Sequence, residues 1–76
     1  MRIDLHGCHI HEGWRKFKRS IERAYYDNYK KVTVITGQGA MMREFPTWAQ
    51  NHPLIREYRQ ERHNPGSFLV KLKKKG

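Results

Sequence analysis

A carboxylate and an imidazole, Asp4 and His6, stand two positions apart near the start of the sequence and together could move a proton. On a strand, side chains at alternate positions share a face, so these two are expected to be neighbours. Histidine exchanges a proton near neutral pH, and a nearby carboxylate can hold its ring in one tautomer. The pair suits acid–base attack on a phosphodiester; the alternative is that both residues only cap the following helix.

A glycine-containing segment, Thr36-Gly37-Gln38-Gly39, could bind the phosphate that such chemistry requires. Gly37 and Gly39 permit positive φ angles, and successive backbone N–H groups can form a nest for an anion. The start of the next helix would add free donors, and Arg43 in its first turn would add a guanidinium. We expect phosphate contacts from Thr36, Gly37, Gln38, Gly39 and Arg43; the alternative is a plain turn between a strand and a helix.

Four strands are predicted around these two segments. Alternation of apolar and polar residues predicts a strand at 2–6, and a β-branched run predicts another at 32–36. Residues 55–60 form a weaker strand or a helical turn leading into one, and 68–72 form the last strand. A right-handed crossover makes the first two strands parallel, so the two polar segments should face one crevice.

Two helices are predicted between the strands. Apolar residues at steps of three and four predict a helix at 10–28 and a second helix at 42–50. Pro46 fits a first helical turn and not an interior, so the second helix is expected to begin at Met42 or Arg43. The element order is therefore βαβαββ.

Charge is the strongest compositional signal. Sixteen Lys and Arg oppose seven Asp and Glu, which gives a net charge of +9 and a pI of about 10.1. Phosphate backbones are the commonest partners of such basic domains, so a nucleic acid is the expected ligand. Further contacts are expected from the polar face of the first helix, through Arg15, Lys16 and Arg19, and from the Lys71–Lys75 tail; the alternative is a solvated basic surface.

Length and cysteine content narrow the class of protein. With 76 residues, the chain is expected to form one domain over 1–76, and no apolar run is long enough to span a membrane. The lone Cys8 excludes a disulfide framework and fits a reducing cytoplasm. His6, Cys8, His9 and His11 are close in sequence, but one thiolate with no distant second pair makes a poor zinc site.

The aromatic residues divide into two groups. Helical spacing predicts that Trp14, Phe17, Phe45 and Trp48 pack in the core rather than stack on bases. Tyr26 and Tyr29, at the end of the first helix, are the better candidates for exposed rings.

Two motifs in this order resemble a known family. Ile3-Asp4-Leu5-His6-Gly7 is similar to the LDxH motif, and Thr36-Gly37-Gln38-Gly39 to the TGxG motif, of the small MutS-related (Smr) domain. The similarity extends along the chain, through the apolar ridge of the first helix, the second-helix residues Phe45 and Trp48, and the last strand. The sequence departs from that family at Gly13, where an alanine is usual, and in a short segment between Gly39 and Arg43.

The resemblance implies an α+β two-layer fold, a mixed four-stranded sheet with two helices, like the C-terminal domain of bacterial translation initiation factor three. It also implies nucleic-acid binding, often with endonuclease activity on branched or nicked DNA or on RNA, including messenger RNA on ribosomes. By this resemblance Asp4 and His6 would serve cleavage, and Gly37, Gly39 and Arg43 would bind phosphate. The alternative is a binding module without chemistry of its own, in a DNA-repair or ribosome-associated protein.

The substrate determines whether a metal is needed. In RNA the 2′-OH can attack the phosphorus, so no metal is required, whereas DNA cleavage needs an attacking water and would call for Mg²⁺ or Mn²⁺. Asp4 alone offers few oxygen ligands for such a cation. RNA is therefore chemically the easier substrate, with DNA left open, and we expect a cytoplasmic monomer that contacts nucleic acid, with the ribosome or a larger parent chain as further partners.

Overall fold

The computed structural model describes residues 1–74 and contains the six predicted elements in the predicted order. They are β1 (Arg2–Asp4), α1 (Ile10–Tyr26), β2 (Lys31–Ile35), α2 (Ala40–Asn51), β3 (Ile55–Gln60) and β4 (Ser67–Leu72). The strands form one sheet in the order β1-β2-β4-β3, with β1 and β2 parallel and the other pairs antiparallel. The mixed four-stranded sheet with two helices that the sequence predicts is confirmed.

The hydrophobic core lies between the two helices and one face of the sheet. Alternate strand residues point into it, so that Ile3 of β1, Val34 of β2 and Val70 of β4 are buried whereas Asp4 is exposed. Phe17 is fully buried and packs on aromatic rings of α2, as the helical spacing predicts. The sheet therefore has one covered face and one open face, and this two-layer arrangement leaves the ends of the strands accessible.

Helix α1 ends two residues earlier than predicted, at Tyr26. Asn28 adopts a positive φ of 67°, which ends the helix because the left-handed region cannot continue it. The two tyrosines at this end are exposed as expected, with Tyr26 66% and Tyr29 46% accessible.

The predicted start of α2 is wrong. The helix begins at Ala40 rather than at Met42 or Arg43, and Pro46 lies inside it as the seventh residue. An interior proline costs about 3 kcal/mol because it lacks an N–H and crowds the preceding turn. Burial of one face of the helix offsets this cost, and that face is formed by Met41, Phe45, Trp48 and Ala49.

Close packing with α1 holds the first turn of α2. A Cβ at Gly13 would overlap the Met41 methyl group and lie 2.9 Å from its Sδ, so the absent side chain is the space that Met41 fills. The glycine at a position where the family usually has alanine thus has a packing reason in this chain.

The strand boundaries differ from the predictions by one or two residues. β1 ends at Asp4, so His6 lies in a turn rather than on the strand, and β4 begins at Ser67. β3 occupies 55–60 as predicted. Lys71 belongs to β4, and the last lysine of the basic tail, Lys75, lies outside the described residues. Neither helix found within 1–74 has the length and apolar character needed to cross a bilayer.

Candidate nucleic-acid cleavage site

The two polar segments meet at the carboxyl ends of β1 and β2. The strands are parallel neighbours, and past the end of β1 the Leu5 N–H donates to the Ile35 carbonyl at 2.7 Å. Beyond that bond the His6 ring lies against Gly37, where an added Cβ would be 2.9 Å from the ring carbon Cδ2. The imidazole and the glycine segment therefore form one surface, as the parallel arrangement predicts.

The Asp4 carboxylate acts on the backbone of His6 and not on its ring. Its Oδ1 accepts a hydrogen bond from the His6 N–H at 2.9 Å, which closes a tight turn completed by Gly7 at a φ of +85°. The expected contact with the imidazole is absent from residues 1–74, since β1 ends at Asp4 and the alternation of faces stops there. The carboxylate thus fixes the turn that carries the ring.

Helix capping does not explain the pair. The N-cap of α1 is His9, without a side-chain cap, so neither Asp4 nor His6 caps this helix. Both side chains are exposed at the shared surface instead. The alternative interpretation of these two residues is therefore wrong.

Thr36 and Gly37 are part of the scaffold of the loop. Their backbone N–H groups both donate to the Gly66 carbonyl, at 2.7 and 3.1 Å. The Thr36 side chain is buried, and its hydroxyl is 3.1 Å from the same carbonyl oxygen and 2.9 Å from that of Gly37. These donors are engaged inside the protein, so the phosphate contacts expected from Thr36 and from the Gly37 N–H do not fit this geometry.

Gly66 is a residue of this site that sequence reasoning missed. A Cβ there would lie 2.8 Å from the Gly37 carbonyl carbon and 2.9 Å from its Cα, so only glycine lets the two backbones approach. In the sequence Asn64-Pro65-Gly66 indicates only a turn. The antiparallel pairing of β4 with β2 places that turn beside the glycine loop.

The free donors of the loop lie one step further along the chain than expected. Gly37 has the positive φ of +75°, whereas Gly39 is extended at −158° and forms the N-cap of α2. Within residues 1–74 four successive backbone N–H groups have no acceptor, those of Gln38, Gly39, Ala40 and Met41. They line the start of a helix, where the dipole favours an anion.

Exposed cations surround this surface. Arg43 is the fourth residue of α2 and remains in its first turn. Lys16 donates from Nζ to the Asp4 carbonyl at 2.9 Å, which places its face of α1 beside β1. Arg15 and Arg19 are exposed and project from nearby positions on the same helix. The structure thus brings Lys16 to the turn and leaves Arg15 and Arg19 as flanking charges.

The histidines and the cysteine near the N-terminus do not converge. Within residues 1–74 there is no group of three His, Cys, Asp or Glu side chains arranged to hold a metal ion. Cys8 is half-buried, with its backbone N–H bonded to the Leu5 carbonyl.

Comparison with known proteins identifies the fold and its family. The sequence profile of the Smr domain matches residues 3–73. The structure is similar to the Smr domain of Thermus thermophilus MutS2, with a TM-score of 0.90 and 14% identity, over 96% of this chain and 98% of that one. It is also similar to YdaL, a stand-alone small MutS-related protein from Escherichia coli, with a TM-score of 0.82 and 21% identity. That match covers 96% of this chain and 64% of YdaL. No curated protein matches the sequence significantly.

Proposed function

This chain belongs to the Smr domain family, whose members are nucleic-acid-binding and nuclease-related, and we propose that it is an endonuclease with RNA as its substrate. The observation that carries this proposal is the contact between the His6 ring and Gly37. It puts a proton-exchanging group directly beside a loop that offers free backbone donors to a phosphate.

The phosphate at the cleavage position would be held by the start of α2. Its non-bridging oxygens would accept hydrogen bonds from the unpaired N–H groups of Gln38, Gly39 and Ala40. The Arg43 guanidinium would neutralise charge that develops on the phosphorus oxygens. Arg15, Lys16 and Arg19 would contact flanking phosphates, which positions the strand without reading its sequence.

His6 would supply the proton transfer. As a general base, its imidazole would take the proton of the ribose 2′-OH, and the 2′ oxygen would attack the adjacent phosphorus. The bond from phosphorus to the 5′ oxygen would break, and that oxygen would take a proton from solvent. The products would be a 2′,3′-cyclic phosphate and a 5′-OH. Asp4 would be a positioning residue, since it holds the backbone that carries the ring.

RNA is favoured over DNA by the donor set of this surface. DNA cleavage requires an attacking water, which a divalent cation commonly activates. Asp4 supplies the carboxylate of the turn after β1, and its Oδ1 already accepts a hydrogen bond from the His6 N–H. In RNA the ribose 2′-OH is itself the nucleophile, so the residues present are sufficient for the chemistry of RNA cleavage.

The test is a cleavage assay on labelled RNA and on nicked and branched DNA. We expect His6→Ala to lower the rate by about 10²–10⁴, the usual contribution of a general base, with substrate affinity nearly unchanged. His63→Ala is the matched control, because His63 is also exposed and its ring is not the one that lies against Gly37. Equal rates for the wild type and the His6 variant would overturn the catalytic role.

Binding without cleavage is the second candidate function, and one observation favours it. Among residues 1–74 no group hydrogen-bonds the His6 imidazole, so the substrate itself would have to fix its tautomer. Salt-dependent binding of nucleic acid, with no cleavage of RNA or DNA in the presence or absence of Mg²⁺ and Mn²⁺, would establish this alternative.

A further inference from the structure

A second concave surface lies at the opposite end of the sheet from the candidate cleavage site. It is a groove of about 510 Å³ between the end of α1, the start of β2, the start of β3 and the end of β4. This volume falls within the range of about 300–1,000 Å³ typical of ligand sites. We refer to it as the basic groove.

Positive charge dominates the basic groove. Its lining contains six cations and no carboxylate among the described residues; the cations are Lys30, Lys31, Arg56, Lys71, Lys73 and Lys74. Glu57 pairs with Lys71 at 3.1 Å from outside the lining, and this hydrogen bond and charge lower the pKa of the carboxyl. One lysine is thus paired, and the others repel one another unless an anion binds.

Two tyrosines and an apolar floor add a second kind of contact. Tyr29 is 46% accessible and Tyr25 is half-buried, and the buried Leu72 is the apolar residue of the same lining. Aromatic faces beside cations are the means by which proteins bind single-stranded nucleic acids, with bases stacked and phosphates neutralised. A duplex, whose bases are already stacked, would leave the tyrosines unused.

The basic groove and the loop of residues 36–39 lie at the two ends of β2. Lys31 begins β2, and Gly37 follows its end, so about 20 Å of extended chain separates them. A stacked strand, which rises about 3.4 Å per nucleotide along its axis, would need about six nucleotides to reach from one to the other.

From this juxtaposition we propose that the basic groove binds a single-stranded flank of the nucleic acid. The assignment of the groove depends on its own lining alone, whereas the footprint of at least about six nucleotides rests on the proposed function of the loop. Cleavage would then be efficient only on substrates with a single-stranded extension beside the scissile phosphate.

A length series of RNA tests the groove. Fluorescence anisotropy would measure binding of an RNA of about twelve nucleotides, within the range of single-strand sites, and a separate assay would measure cleavage of a trinucleotide, which is too short to reach both sites. For the double variant Lys31→Gln/Lys73→Gln we expect the longer RNA to bind about tenfold more weakly at low salt. The slope of log K against log salt should fall by about 1.4 for two lost phosphate contacts, while the rate of trinucleotide cleavage stays unchanged, because cleavage would take place at the loop of residues 36–39.

A charge-matched variant separates the groove from general electrostatics. Arg59→Gln/Arg62→Gln removes the same charge from exposed residues outside the groove. We expect less than a twofold loss for it. Equal losses in the two double variants would overturn the proposal, since net charge alone would then explain the binding.

Tyr29→Ala gives an independent readout. Loss of a stacked base should weaken binding of the longer RNA at least about fivefold and leave the salt slope unchanged. No loss would contradict the single-strand assignment. If the groove does not bind RNA, short RNA is still cleaved. If the protein does not cleave RNA, the longer RNA still binds in the groove but is not cut, so the two failures are distinguishable.

Discussion

The two ends of β2 are held in different ways. At its carboxyl end the backbone is tightly constrained, with Thr36 and Gly37 bonded to Gly66 and the His6 ring against Gly37. At its amino end exposed lysines surround an open groove, and one ion pair, Lys71–Glu57, restrains them within the described residues. Acid–base chemistry depends on fixed distances, whereas holding a flexible polyanion depends on charge. Under the proposed function, the carboxyl end would therefore perform the chemistry and the amino end would add affinity.

After that of His6→Ala, the largest expected effect tests whether geometry or charge makes Asp4 important. Asp4→Ala removes the acceptor of the His6 N–H and should lower cleavage about 10²-fold by displacing the ring. Asp4→Asn retains Oδ1 without the charge, and we expect it to stay within about tenfold of the wild type. Rates from single-turnover assays would decide, and equal loss in both variants would mean that the charge itself is required.

The next effect tests whether close backbone approach belongs only to the carboxyl end. Gly66→Ala would force a Cβ against Gly37 and should lower the free energy of unfolding by about 1–3 kcal/mol. Gly39→Ala is the control, because nothing lies within 4 Å of the added atom, and it should cost less than about 1 kcal/mol. Urea denaturation measures both, and similar losses would show that the Gly66–Gly37 contact is not a constraint.

A smaller effect compares single charges at the two ends. Arg43→Gln and Lys73→Gln should each lower the salt slope for a long RNA by about 0.7, with a few-fold loss of affinity. For the cleavage rate of a trinucleotide only Arg43→Gln should matter, since Lys73 lies in the distant groove. Trinucleotide cleavage that is slowed by Lys73→Gln would break the division between the two ends.

The smallest effect concerns His52, which belongs to neither end and reports on stability alone. Burial lowers the pKa of His52, with a further lowering by Lys18 and an opposing contribution from Glu22. Its Nδ1 also accepts the Leu54 N–H at 3.1 Å, which protonation would break. Below about pH 6.5 the unfolded chain binds a proton that folded His52 resists, so stability falls as the pH drops until the folded pKa is passed.

The variant His52→Asn can retain the acceptor for Leu54 and does not titrate. The thermal midpoint of this variant should therefore change less between pH 7.5 and pH 5.5 than that of the wild type, and the difference should correspond to the titration of one histidine. The same change of midpoint with pH in both proteins would show that other groups cause the pH dependence.

The fold followed from local patterns to a large degree. β-branching placed β2 to within one residue, and the α1 pattern gave the correct start at Ile10. Residues 55–60, for which a helical turn was the alternative, form the strand β3. The errors lie at the boundaries of elements, and at the start of α2 a long-range contact is involved. Met41 fills the space at Gly13, and this contact holds a first helical turn that begins at Ala40. Pro46 considered alone predicts a start at Met42 or Arg43.

The candidate site was predicted in part. Parallel β1 and β2 bring His6 to Gly37, and this adjacency follows from the βαβ order. Which donors are free does not follow from a motif, because Gly66 arrives from a segment thirty residues away and occupies the N–H groups of Thr36 and Gly37.

Sequence alone determined the element order, the basic character and the two segments that form the candidate site, because composition and short-range periodicity depend only on neighbours along the chain. Tertiary structure decided that Asp4 holds the His6 backbone, that Gly66 closes the loop, and that distant lysines share one groove with Tyr29. These features depend on distances between strands and helices, which only the packed core defines.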